Sequence, residues 1–462
     1  MIKGRKGEIG KLQDFVKSDA RVLMLYGRVG IGKTALLLEF LKKQSGMYYN
    51  AYPTTARRQM SYLSKAFGAK EDLSLEELLQ KMTLQAKDNS YVFVIDNYSA
   101  FVKSDPTFAK RLHDFVKDKW AVTNCKLILC EDSYLNATKI MVSPGAIWQD
   151  FSPVCMELKA LYFYEAQLFY KDALPEEKVF YYAITGGIPT LLCRLEQSLE
   201  ESVKKLYLSE EEPFYLPEKI FGAELREMSY YNTLLETLAS GKNRVNQISA
   251  EVEKPKDVVV PYLTTLMNIG VVKKENPITE PNNRKKTRYS IVNIADVFWY
   301  RFIVPHMDEY YSGDRGSILE KYILKDKEKD KFLQRSFVAM CKDYLWNRSN
   351  AGDLSFHIDE IGNWWENDDE KQTTAGFDLV ALGEQEGESA TLFARCFYQD
   401  TEVGMKDLKK LIDLTKHAKS GENTYYVIFS KSGFAPSAKT AAGAIKNIIM
   451  ISLDEVCAWN QK

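Results

Sequence analysis

No stretch of this sequence approaches the ~18 uninterrupted apolar residues that a membrane-spanning helix needs. The segment from Met1 to Phe15, MIKGRKGEIGKLQDF, is charged throughout and lacks the apolar centre of a signal peptide. The seven cysteines are scattered, odd in number and without a Cys-x-x-Cys pair. That argues against a disulfide framework or a zinc ribbon and fits a reducing compartment. Four histidines, none near another, leave little material for a His-based metal site. These absences lead us to expect a cytoplasmic protein. Charge of neither sign dominates: 62 Lys and Arg stand against 63 Asp and Glu, a net charge of −1. Nothing in the bulk therefore demands nucleic acid or an acidic surface, and any basic patch must be local. No arginine occurs between Arg111 and Arg194.

What is present is an ordinary globular composition, 45% apolar and 27% charged, over 462 residues. That length exceeds a single core and implies several domains. Residues 22–40 read VLMLYGRVGIGKTALLLEF. Val22 to Tyr26 predicts a buried strand, and Ala35 to Phe40 an apolar helix. Between them, Gly27, Arg28, Val29, Gly30, Ile31, Gly32, Lys33 and Thr34 match the Walker A pattern. Glycines let the backbone curl so that successive N–H groups face phosphate oxygens, while Lys33 reaches the β and γ oxygens. Thr34 can ligate Mg²⁺, and the helix N-terminus beginning near Ala35 adds partial positive charge. The bare pattern arises by chance in about 2% of chains this long; its place between strand and helix makes coincidence far rarer.

Asp96 closes the apolar run Tyr91–Ile95, at a strand end where ligands of open parallel sheets sit. Its expected role is to hold Mg²⁺ through water. A third strand, KLILC (126–130), runs into Glu131, Asp132 and Ser133. Ser133 is the candidate γ-phosphate sensor, with a strand-end turn as the competing reading. Together with GMYYNA (46–51), strands alternating with helical stretches predict an α/β fold with a parallel sheet covered on both faces.

GRKGE (Gly4 to Glu8), YGRVGIGKTALLLEF and YYAITGGIPTLL (181–192), taken together, resemble the archaeal-type ATPase family, a branch of the AAA+/STAND P-loop NTPases. The resemblance extends over essentially the whole chain. It implies ATP as the nucleotide, adenine near Arg5 and Glu8, and a helical lid that contains Gly186, Gly187, Ile188 and Pro189. It also implies a core over 1–157, a lid over 158–222, a winged helix over 223–305, a linker over 306–330 and a restriction-endonuclease-like domain over 331–462. Two departures point toward slow or absent turnover. Relatives usually carry Asp-Glu where this chain has Asp96-Asn97, and an amide orients a water without taking its proton. The empty interval between Arg111 and Arg194 also removes an arginine finger from the stretch after the sensor strand, an element worth ~10³–10⁵ in rate where it operates.

An acidic connector, LSEEEPFYLPE (208–218), precedes three helical stretches at 228–240, 244–252 and 255–269, the last ending at Gly270. VVKKENPIT then pairs with TRYSIVNI across a loop, PNNRKK, and the set reads as a winged helix-turn-helix. The loop region carries Arg284, Lys285, Lys286 and Arg288 with no acid between them. Such a tip either reaches DNA phosphates or is simply solvated. The third helix, with Val258-Val259-Val260-Pro261, offers few polar groups to a base edge.

Beyond the charged run 325–331, helix (331–347), strand (377–382), strand (392–398), helix (405–417) and strand (424–430) are expected. With IGNWWENDD (361–369), this order resembles the restriction-endonuclease-like domain of many family members. Its nuclease chemistry needs an Asp, kept here as Asp378, and a Glu-x-Lys on the next strand. Here Arg395, Cys396 and Phe397 stand in that place. One carboxylate beside a cation holds Mg²⁺ poorly, so an active nuclease is not expected. Asp378 reads best as a surface acid at a strand end. The expectation as a whole is an ATP- and Mg²⁺-binding switch that engages double-stranded DNA or a protein. The alternatives are a true ATPase with another water-positioning group, such as Asp132, and a protein-interaction module with a structural nucleotide.

Overall fold

The computed structural model describes residues 2–459 apart from 88, 210–214, 216, 223, 224, 226, 227, 325, 369–372, 419 and 446. Most of the acidic connector expected at 208–218 lies outside the described residues, as does Lys325 at the start of the charged run. The chain divides into two compact units. One comprises Met1–Leu161, Ile188–Thr190 and Ile220–Glu224; the other comprises Tyr162–Gly187, Leu191–Lys219 and Leu225–Lys462.

In the first unit five strands form one sheet: β1 (Val22–Tyr26), β2 (Gly46–Asn50), β3 (Tyr91–Asp96), β4 (Cys125–Glu131) and β5 (Val154–Glu157). Their order is β2-β3-β4-β1-β5 and every pairing is parallel. Val22 to Leu25, Val92 to Ile95 and Leu127 to Cys130 are all buried. Helices on both faces of a parallel sheet demand such unbroken apolar runs. Helix Leu75–Gln85 shows how one cover forms. Ser74 accepts from the Glu77 N–H at its start, the Ser74 N–H donates back to the Glu77 carboxylate at 2.8 Å, and Leu75, Leu78, Leu79 and Met82 are buried. Each such leucine contributes about 1.5–3 kcal/mol by leaving water. Parallel pairing brings the C-terminal ends of β1, β3 and β4 to one edge, with β4 inserted between the other two.

The second unit contains helices Met228–Ala239, Val245–Glu251 and Lys256–Asn268, followed by an antiparallel pair, β6 (Val272–Glu275) and β7 (Arg288–Ile291). A second sheet follows, in the order β12-β11-β10-β9-β8. Strand β9 (Thr373–Gln385) runs antiparallel to both β8 (His357–Asp368) and β10 (Glu388–Phe397), while β11 (Asn423–Ser430) and β12 (Ile448–Ser452) run parallel to β10. The helix expected over 331–347 spans Asp326–Asn350. Neither β8 nor β12 was expected. Strand β8 hides because register shifts at 358/360 and 362/364 break its alternation, and its own acids and Gly362 read as loop.

The loop between β6 and β7 lies on β8. The Ile278 N–H donates to the Asn363 carbonyl at 2.9 Å, and a Cβ on Gly362 would stand 3.0 Å from the Ile278 Cβ. Among the described residues no helix is long and apolar enough to cross a membrane.

Candidate nucleotide site

The Walker loop lies between β1 and helix Lys33–Leu41, which begins on Gly32. Gly27 has no room for a side chain, since a Cβ would fall 2.4 Å from the Leu158 carbonyl oxygen. Gly30 holds a φ of 82°, and its Cβ would fall 2.5 Å from Thr190 Oγ1. The Thr190 hydroxyl donates to the Gly30 carbonyl at 3.2 Å, next to Pro189, so residues 188–190 pack on the loop within the same unit. Ile31 is buried, Val29 exposed, and the Arg28 guanidinium stands 5.7 Å from the Phe221 ring centroid.

Lys33 is buried and its ammonium is fully engaged. It donates to the Gly27 carbonyl at 2.6 Å and the Arg28 carbonyl at 3.0 Å, and it pairs with Asp132 at 2.6 Å. Thr34 and Ala35 are exposed at the start of the helix. The Thr34 hydroxyl donates to Asp96 Oδ2 at 2.8 Å, and the Tyr48 hydroxyl donates to the same oxygen at 2.6 Å. Burial, and then the bond to Asp96, push the Tyr48 phenol well above its ordinary value, so it stays a neutral donor. Adjacent hydroxyl and carboxylate oxygens on Thr34 and Asp96 form a hard-oxygen donor pair of the kind Mg²⁺ takes. Among the described residues no group of three or more His, Cys, Asp or Glu side chains could hold a metal by itself. A cation here would thus draw its remaining ligands from nucleotide and water.

Asn97 follows in the left-handed region (φ 53°), and its amide donates to Asn50 Oδ1 at 2.7 Å. Ser133 caps the helix Tyr134–Met141, accepting from the Asn136 N–H at 3.1 Å. The side chain that reaches the loop from this strand end is Asp132. Glu131 is buried, accepts from the Ser99 N–H, and is raised by burial above the ordinary carboxylate range.

Arg5, a residue expected near adenine, braces the loop. It is buried, pairs with Glu8 at 2.7 Å, and donates to the carbonyls of Ile31 at 3.0 Å and Lys159 at 2.6 Å. Sequence gave no sign of that brace, because its acceptors lie on backbone far along the chain.

Elsewhere, the basic loop divides. Arg284 and Lys285 are exposed. Lys286 is mostly covered, paired with Glu280 at 2.7 Å and Glu366 at 2.6 Å, while its carbonyl accepts from Trp365 Nε1 at 3.0 Å. The Arg288 guanidinium stacks 4.4 Å from the Trp365 ring centroid. Asp378 proves half-buried, not a surface acid: Oδ2 accepts from Arg395 Nε at 3.1 Å and from the Cys396 N–H at 2.9 Å. The cause is the antiparallel neighbour β10, which sets Arg395 against it.

The parallel sheet, the glycine loop and the acid at the end of β3 together form a P-loop nucleotide-binding fold. Residues 16–137 match the AAA domain family, and residues 299–410 match a family described as archaea bacterial proteins of unknown function. An uncharacterized protein of Methanocaldococcus jannaschii is 24% identical over 449 residues, covering 93% of this chain and 96% of that one. The structure of a Walker-type ATPase of Pyrococcus abyssi is similar with a TM-score of 0.50 at 16% identity, over 65% of this chain and 96% of that one.

Proposed function

We propose that this chain binds ATP with Mg²⁺ at the Walker loop and acts as a nucleotide-dependent switch with slow or absent hydrolysis. The observation that carries this reading is the side chain of Asn97, an amide tied to Asn50 at the position expected to supply a base. Thr34 and Asp96 would hold the metal, which would neutralise phosphate charge. Lys33 would trade its pair with the half-exposed Asp132 for a phosphate oxygen. Phosphoryl transfer depends mainly on positioning and charge, so this site retains binding while lacking the groups that hasten attack by water.

The second unit supplies the proposed output. We read residues 223–305 as a winged helix and 331–462 as a restriction-endonuclease-like domain without nuclease activity, joined to a core over 1–157 and a lid over 158–222. Two cations, Arg284 and Lys285, are exposed at the hairpin loop for contact with duplex phosphates.

The test has two parts. Binding of a fluorescent ATP analogue, with phosphate release measured in parallel, should give Mg²⁺-dependent binding that Lys33→Ala abolishes, and turnover on the order of 10⁻³ s⁻¹, the range of P-loop proteins without an arginine finger. Duplex-DNA anisotropy at two salt concentrations, with ATP·Mg²⁺, ADP or neither, should show salt-sensitive binding that differs between nucleotide states. Fast turnover that collapses in Asp132→Ala would favour the second reading, in which Asp132 positions the water. Its pairing with Lys33 at the mouth of the loop is what keeps that reading open.

A further inference from the structure

A cavity of about 620 Å³ opens in the second unit between β8, β9, β10 and the helix Met405–Thr415. Its size is that of a small-molecule site. Cations converge on it from three separate elements: Arg288 from the start of β7, Arg395 from β10, and Lys410 from the helix, with His417 just beyond the helix end. Two carboxylates share the wall, and each is already held. Asp378 accepts from Arg395 and the Cys396 N–H, and Asp413 pairs with Lys416 at 2.8 Å. Lys410 stands exposed at the rim. Burial, and then the like charge of Arg244, lower Arg288 to about 10, so it remains a cation at neutral pH in a locally positive field. Trp364, Phe377 and Leu414 provide an apolar wall beside these charges.

From this lining we infer a second ligand site, distinct from the Walker loop, that takes a nucleotide: its phosphate between Arg395 and Lys410, its organic part against the apolar wall. A guanidinium fixed by a carboxylate presents N–H groups in a plane suited to phosphate oxygens. The cavity exceeds a bare phosphate, which is why a phosphate carrying an organic body fits its mixed lining. A metal is not needed for this. Arg395 supplies positive charge beside Asp378, and the arrangement holds phosphate without activating water. The nucleotide is either free or part of a strand, since both present the same phosphate. The inference stands apart from the switch reading, because the cavity is lined neither by the Walker loop nor by the exposed hairpin cations Arg284 and Lys285.

The experiment uses the full chain carrying Lys33→Ala, in EDTA, so that the Walker loop contributes nothing. Two probes are titrated: adenosine monophosphate by calorimetry and a 5′-phosphorylated single-stranded oligonucleotide by anisotropy. Binding of at least one probe should weaken about tenfold on Lys410→Ala, the loss of one charge-assisted contact, with an unchanged melting temperature. Arg395→Lys should weaken it as well, with the melting temperature reporting whether Asp378 is still held. Binding of the mononucleotide identifies a free ligand; binding of the oligonucleotide alone identifies a strand. No binding of either probe, or binding indifferent to Lys410→Ala, would overturn the inference.

Discussion

Single residues set the limits of the Walker site. At Gly30 the backbone is left-handed and a Cβ would collide with Thr190. Gly30→Ala should therefore cost about 1–3 kcal/mol and weaken nucleotide binding, checked by thermal melting and by fluorescent-nucleotide titration. Arg5→Ala removes a guanidinium from two carbonyls and from Glu8. Each carbonyl left unsatisfied costs about 1–3 kcal/mol, so the variant should melt earlier and hold nucleotide less tightly. Asn97→Glu restores a base at a left-handed position and gives up the bond to Asn50. Phosphate release should rise while stability falls by about 1 kcal/mol; an unchanged rate would mean that the missing base is not what limits turnover. At this scale the sequence was legible where chemistry demands a residue type in a fixed order, as in Gly27 to Thr34 and Asp96. It was silent on the brace that Arg5 makes to the Ile31 and Lys159 carbonyls and on Tyr48, whose partner Asp96 is set by folding.

Among elements, the hairpin loop divides its charges by what lies beneath it. Lys286 is held by Glu280 and Glu366, while Arg284 and Lys285 are exposed. Replacing Arg284 and Lys285 by alanine should lower duplex binding and reduce its salt slope by about 2, with the melting temperature unchanged. Lys286→Ala should instead lower the melting temperature, because it leaves a mostly covered ion network incomplete. Salt-dependent anisotropy and calorimetry separate these outcomes. Strands with continuous apolar runs, such as Val92 to Ile95, were readable from period and length. The hairpin's two strands were readable as well, yet the docking of its loop was not, since the covering surface belongs to β8, a strand whose bulges erase its own pattern.

At the scale of the whole molecule, the buried acid Asp343 ties stability to pH. Asp343 accepts from the Phe163 N–H at 2.8 Å, and burial raises it to about 7. The folded chain keeps a proton that the unfolded chain releases at its ordinary value near 4. Its contribution is therefore complete below about pH 4 and lost as pH rises through 7, a difference on the order of a few kcal/mol. Denaturant unfolding of the full chain should weaken over that window, and Asp343→Asn should flatten the decline while keeping an acceptor for Phe163.

The way the backbone is partitioned carries one more consequence. The polypeptide leaves the first unit after Leu161, returns for Ile188–Thr190, and returns again for Ile220–Glu224. Thr190, which packs on Gly30, belongs to one of those returns. A gene fragment ending at Leu161 would encode the entire parallel sheet and still lack the residue that closes over the glycine loop. The first unit is thus discontinuous in sequence, and cutting the chain after Leu161 would yield a sheet with its glycine loop unlatched.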